Sequence, residues 1–151
     1  MELNIEKAKA ELKGVTLRSE NNGDEKVLAV DIKVMALVPA KDVSSLFMDA
    51  PDLLNALWDA GGNVLAASFE HLYRVPIENI ELIIDDLKPF IGGKVKKNIK
   101  MIPRNGKKLE MLMTAQLSDV LDIRPLAKRL NEEVVITIKE RQQTLGLSDA
   151  A

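Results

Sequence analysis

GKVKKNIKMIPRNGKKLEMLMTAQL, residues 93–117, decides how this chain folds. Asn105-Gly106 sits between two runs of alternating apolar and polar side chains, the pattern of two half-buried antiparallel strands joined by a tight turn. A two-residue loop would set Met101 opposite Glu110 and Lys100 opposite Met111. That mixes charged and apolar side chains on both faces, which a half-buried sheet resists. A three-residue loop, Asn105-Gly106-Lys107, removes the mismatch, with Gly106 supplying the positive φ of a bulged turn. Met101 then faces Met111, Ile99 faces Met113 and Val95 faces Leu117. One face becomes Val95, Ile99, Met101, Pro103, Leu109, Met111, Met113 and Ala115, a core face. The other carries Lys94, Lys96, Lys100, Arg104 and Lys108. Lys97 falls on the apolar side, near an edge where its ammonium reaches back to water.

The same stretch polarises the charge. Seven of the 21 Lys+Arg residues lie within it: Lys94, Lys96, Lys97, Lys100, Arg104, Lys107 and Lys108. Residues 1–93 carry a net charge of −7, residues 94–108 of +7, and residues 109–151 of −2. A row of lysines on a strand has two meanings. It blunts a sheet edge against aggregation, or it tracks the phosphates of a polyanion.

A chain of 151 residues, 46% apolar and 29% charged, suits one globular domain with a real core. The expected boundaries are 1–141 for a β-rich domain and 142–151 for a polar tail. No run approaches the ~20 apolar residues of a membrane-spanning helix. The charged opening MELNIEKAKAELK lacks the apolar core of a signal peptide. The chain has no cysteine, hence no thiolate chemistry and no disulfide framework. These features lead us to expect a cytoplasmic protein that does not associate with membranes. Aromatic residues make up only 3% of the chain (Phe47, Trp58, Phe69, Tyr73 and Phe90), which argues against recognition by base stacking.

Taken in order, residues 1–13 read as a short helix or a frayed arm, with Ile5, Ala8 and Leu12 at helical spacing and Gly14 as its end. Residues 15–20 alternate as a strand, Asn21-Asn22-Gly23-Asp24 marks a turn, and residues 26–38 alternate again. Short helices are expected over 42–48 and from Pro51 to about Trp58, with a turn at 59–63. Strands are expected over 64–75 and 77–83. A loop then ends at Gly92-Gly93, and the basic hairpin follows. A short helix around 125–130 and a strand over 133–140 complete the series. The fold class is therefore mainly β: an antiparallel β-sandwich or partly open barrel of seven to eight strands with two or three short helices.

Chemistry is sparse. His71, the single histidine, has Phe69 and Tyr73 as same-face neighbours and reads as a half-buried structural residue rather than a base. No nucleophile, base and orienting acid can be assembled around Ser44, Ser45, Ser68 or Ser118. Glu78, Glu81, Asp85 and Asp86 could gather round a hard cation, but read first as a solvated acidic loop. Asp31, Lys33 and Glu70 are a strand-borne set that a nuclease would need, at a spacing that is not diagnostic. We expect no enzymatic activity, cofactor or metal.

Leu17 to Lys33, LRSENNGDEKVLAVDIK, resembles a hairpin in a group of small phage and prophage proteins, with the pattern Gly-Asp-Glu-x-Val-x-Ala-x-Asp-hydrophobic-Lys followed by a Leu-rich segment. The likeness covers the first sixty residues and the strand Glu133–Lys139; the middle of the chain departs from it. It carries over no functional residue. It implies a phage-encoded protein of the host cytoplasm, from a DNA replication or recombination neighbourhood. Two functions stand open. One is a module binding nucleic acid, single-stranded DNA among the candidates, through the seven cations of 94–108. The other is a protein-interaction module, either homo-oligomeric or inhibiting a host defence protein, in which the polarised charge pairs acidic with basic faces.

Overall fold

A computed structural model describes residues 3–47, 51–65, 68–72, 77–118 and 122–141, with the backbone alone at Asn22, Pro51 and 69–72. The chain is mainly β, and its described residues form eight strands in one sheet: β1 (Asn4–Asn22), β2 (Glu25–Pro39), β3 (Phe69–Leu72), β4 (Ile77–Ile84), β5 (Phe90–Val95), β6 (Asn98–Arg104), β7 (Lys108–Ser118) and β8 (Glu133–Glu140). Every pairing is antiparallel, in the order β2-β1-β8-β4-β5-β7-β6-β3. A further pairing of β2 with β7 closes the sheet on itself. The result is an irregular ring. Of the two architectures expected, it is the barrel-like one.

The ring has one inward line of apolar side chains per strand. On β2 these are Val30, Ile32, Val34, Ala36 and Val38; on β7, Leu109, Met111, Met113, Ala115 and Leu117; on β8, Val134, Ile136 and Ile138. All are buried, and they join the inward residues of the other strands in one contiguous core. Each fully buried Val, Leu, Ile or Met contributes roughly 1.5–3 kcal/mol. One end of the ring is plugged by Val43, Leu46 and Phe47 of a 3-10 segment (Ala40–Phe47, kinked at Val43) and by Leu57 and Trp58 after α1 (Pro51–Asn55). Near the other end, α2 (Arg124–Ala127) buries Leu126.

Besides two register shifts between β4 and β5, around Ile80, three irregularities bear on the expected pairing. Residues 4–13 are strand, neither helix nor frayed arm, and the cause of the mismatch is a bulge between Ile5 and Ala8. One additional residue, with Lys7 at φ 47, brings Ile5 and Ala8 to the same face three residues apart, so a bulged strand mimics helical spacing. Gly14 does not end the element. It lies opposite Lys33, just past a second bulge that leaves Lys13 unmatched.

The third irregularity lies in the basic ribbon. Its turn follows the expected register, with Arg104 opposite Lys108, Met101 opposite Met111, and Gly106 at φ 85. Further along, Val95 pairs with Ala115 rather than Leu117. The residues between Val95 and Ile99 bulge out against Thr114, whose carbonyl accepts the Lys96 N–H at 3.0 Å. This bulge also moves Lys97 off the apolar side, and it is exposed.

Other boundaries shift for local reasons. The strand expected over 64–75 is described only as Phe69–Leu72, preceded by an isolated Trp58–Val64 bridge. Residues 73–76 lie outside the described residues, as do 142–151, the expected tail. Gly92-Gly93 is not loop but part of β5. Gly93 is needed there because a Cβ would run into the Leu117 side chain and come within 2.8 Å of the Gln116 carbonyl oxygen. Gly93→Ala is expected to destabilise the fold by about 1–3 kcal/mol through this overpacking. Gly61→Ala, whose Cβ would meet only side-chain atoms at 3.5 Å, should stay within about 0.5 kcal/mol of wild type. Urea unfolding midpoints of the two variants check both values.

Candidate nucleic-acid interface

The outward face of the strands carries the cations. Alternation about buried Val95 exposes Lys94 and Lys96, and alternation about Ile99 and Met101 exposes Lys100. The bulge adds Lys97 and Asn98, so three consecutive side chains at 96–98 are exposed. A regular strand would have turned one of them into the core. Lys33 of β2 joins this group: it is exposed and pairs with Thr114, the residue that Lys96 bonds from the other side. With strands about 4.8 Å apart, the backbones at Lys33 and Lys96 stand about 10 Å apart across β7.

The sequence treats seven cations as one stripe, but the structure separates them. Arg104 donates to Glu110 at 2.6 Å and is locally neutralised. Lys107 and Lys108 lie at the hairpin tip, which is pinned rather than free. The Trp58 Nε1–H donates to the Arg104 carbonyl at 2.7 Å, Gly106 N–H to the Gly62 carbonyl at 2.9 Å, Val64 N–H to Asn105 Oδ1 at 3.0 Å, and Ala40 N–H to the Lys107 carbonyl at 2.9 Å. Lys94, Lys96, Lys97 and Lys100 form no ion pair among the described residues, and neither does Lys33.

The described acids around this patch are occupied; Glu70, opposite Lys100 in the β3–β6 pairing, has its side chain outside the described residues. Asp31 accepts from Arg18 at 3.0 Å. Glu20 accepts from the Ser118 hydroxyl at 2.7 Å and from Arg18 at 2.8 Å. The Ser118 hydrogen bond, then that of Arg18, with a smaller attraction from Lys94, holds the Glu20 carboxyl below its ordinary value. Both acids hold the Arg18 guanidinium, whose pKa is raised, Glu20 more strongly than Asp31. Asp31 and Lys33 therefore serve an ion-pair network and a cation patch, not one metal site. The side chain of Glu70, third in that set, lies outside the described residues, as does that of His71.

The acidic loop also has internal partners. Arg129 bonds Asp85 at 3.0 Å and Asp86 at 3.4 Å, and Asp85 caps the Val135 N–H at 2.8 Å. No group of three or more His, Asp or Glu side chains is placed to hold a metal ion among the described residues. Asp59 is held below the usual carboxylate range, first by the Asn63 backbone N–H, and closes its own turn. No helix among the described residues is long and apolar enough to cross a membrane.

Sequence reasoning missed Lys33 as a member of the basic face, because only the β2–β7 pairing carries it there. It also missed the bulge, for which the run of three polar residues between Val95 and Ile99 was the available signal. No protein-family model, curated protein or solved structure matches this chain.

Glu20 provides a pH test of the face. A carboxyl whose folded pKa is depressed stabilises the fold above its ordinary value of 4.5, and that contribution is lost as pH falls through the folded value. Glu20→Gln should lower the urea midpoint at pH 7, and the gap from wild type should close on acidification through that window. A gap independent of pH would show that the carboxylate charge is not what Arg18 and Ser118 hold.

Proposed function

We propose that this protein binds nucleic acid through its phosphate backbone, using the outward cations Lys94, Lys96, Lys97 and Lys100 with Lys33 beside them. One observation carries the reading: these five exposed ammonium groups form no ion pair among the described residues, while Asp31, Glu20 and Glu110 around them are already bonded. Unneutralised cations on a convex outer face suit a polyanion, since counterion release supplies the favourable free energy. Arg104 contributes little, because Glu110 cancels its charge. Lys107 and Lys108 extend the positive potential towards the hairpin tip.

Among the described side chains no aromatic one stands between these five lysines in the sheet register. The reading is therefore of backbone contact without base readout. Single-stranded DNA is the ligand we favour, and the resemblance to phage proteins points to recombination or replication in the host cytoplasm. Binding, rather than catalysis, is the role proposed.

The test is an electrophoretic shift or fluorescence-anisotropy titration against single- and double-stranded DNA over 50–200 mM salt. With five phosphate contacts, log K on single strands should fall with log salt at a slope of about −3.5. Lys94→Glu/Lys96→Glu/Lys100→Glu should abolish binding and leave the circular dichroism melt unchanged, whereas Arg104→Gln/Glu110→Gln, which removes both charges of the pair, should bind like wild type. Absence of DNA retention by wild type at 50 mM salt would sink the proposal.

A further inference from the structure

Beside the lysines the outward face turns apolar. Alternation about buried Val34, Ala36 and Val38 points Met35 and Leu37 of β2 outward. The same alternation does so for Leu112 of β7 and Ile102 of β6. Leu37 is 39% exposed, the other three are half-buried, and none is among the partly buried side chains that pack against the core. Leu112 lies opposite Met35 and diagonal to Leu37 and Ile102, within reach of both. The patch measures about 7 Å along the strands and about 10 Å across β2, β7 and β6. Its rim is cationic: Lys33 lies two positions from Met35, Lys100 opposite Leu112, Lys9 opposite Leu37, and Lys108 two positions beyond Glu110. These four are exposed and form no ion pair among the described residues. Two nearby carboxylates are already neutralised, Glu110 by Arg104 at 2.6 Å and Glu11, opposite Met35, by Lys13 at 3.1 Å. Glu133, opposite Glu11, bounds the patch on the β8 side; Glu70, with its side chain outside the described residues, lies beyond Lys100 on the β3 side.

We infer that this patch takes the base faces of a single nucleic-acid strand whose phosphates lie on the lysines. The inference rests on the polyanion reading and narrows it to one strand type. Lys33 and Lys100 belong both to the rim of the patch and to the phosphate face, so the two surfaces are continuous. A single strand is amphipathic in the same way, since each nucleotide brings one anion and one planar base with an apolar face. In a duplex those faces are stacked inside, and only groove edges and backbone remain outside. A duplex would therefore leave Leu37 and its neighbours in water. An acidic protein surface would need a separate carboxylate for each rim lysine and an apolar set between them, whereas a strand supplies both as a repeat. Contact between aliphatic side chains and base faces displaces water without reading base edges. It adds affinity and strand preference but no sequence preference, and it adds them independently of salt, unlike the phosphate contacts.

Anisotropy titrations over a salt series with oligothymidylate, its duplex with oligoadenylate, and an abasic oligomer of equal length separate the two contributions. Wild type should bind oligothymidylate about tenfold more tightly than the abasic oligomer, with the same slope of log K against log salt. Ile102→Thr/Leu112→Thr keeps strand-forming side chains while removing apolar surface, and should lower oligothymidylate affinity about tenfold. The salt slope, the duplex affinity and the circular dichroism melt should not change. Leu37→Ser, at the most exposed of the four positions, should weaken single-strand binding in the same way without touching the fold. Equal binding of oligothymidylate and the abasic oligomer, or variants that bind single strands like wild type, would overturn the inference and leave the polyanion reading standing. So would a parallel loss on single strands and duplex, which would mean that the substitutions had moved the lysines. Retention of an acidic, leucine-bearing peptide with no DNA of any kind retained would overturn both readings and give the patch to a protein.

Discussion

Eleven consecutive residue pairs between β2 and β7, from Ala29 with Ser118 to Pro39 with Lys108, hold the two halves of this molecule together. Without them the sheet would be an open ribbon with two long edges, and no face would be enclosed. With them, every strand of the ring acquires an inside, and the alternation of side chains acquires a meaning. Met111 and Met113 become core, and Thr114 and Gln116 become surface. The same closure brings Lys33 alongside the lysines of β5 and β6, although more than sixty residues separate them in the chain. Core and charged face are two consequences of one constraint.

The order of the ring explains where the irregularities fall. Closing a sheet requires strands to bend, and bulges supply the bend. Each bulge here advances the chain by one or two residues while keeping apolar side chains pointing inward. On β1 this reconciles Ile5, Ala8 and Leu12 with one buried face. Between β5 and β6 it releases Lys96, Lys97 and Asn98 outward together. The unusual local density of cations is thus a by-product of curvature, placed where the ribbon of β5 and β6 changes register against β7.

Much of this was legible in the chain. The hairpin register followed from refusing to place Lys100 against Met111, and Glu133–Glu140 was readable from plain alternation. What was hidden has a common cause. Period-two reasoning fails at bulges, so the spacing of residues 1–13 suits a short helix or a frayed arm, and face matching sets Val95 against Leu117 instead of Ala115. Local reasoning also cannot see a contact between distant strands, so the partner of Lys33 stayed out of view. The neutralisation of Arg104 by Glu110 was in reach, because the accepted register already placed Glu110 two positions beyond the residue opposite Arg104.

The position of β8 has a consequence for how the molecule is made. It lies between β1 and β4, so the first strand of the chain obtains its second neighbour only from residues 133–140. During synthesis, β1 and β2 can form their hairpin early, as can the ribbon of β5, β6 and β7, but the ring stays unfinished until those late residues emerge from the ribosome. Until then Ile5, Leu82 and Ile84 face a gap that only Ile136 and Ile138 fill. Contacts spanning most of the chain make closure a slow step. The nascent protein must therefore spend that interval with its interior open to whatever strand-forming chains surround it.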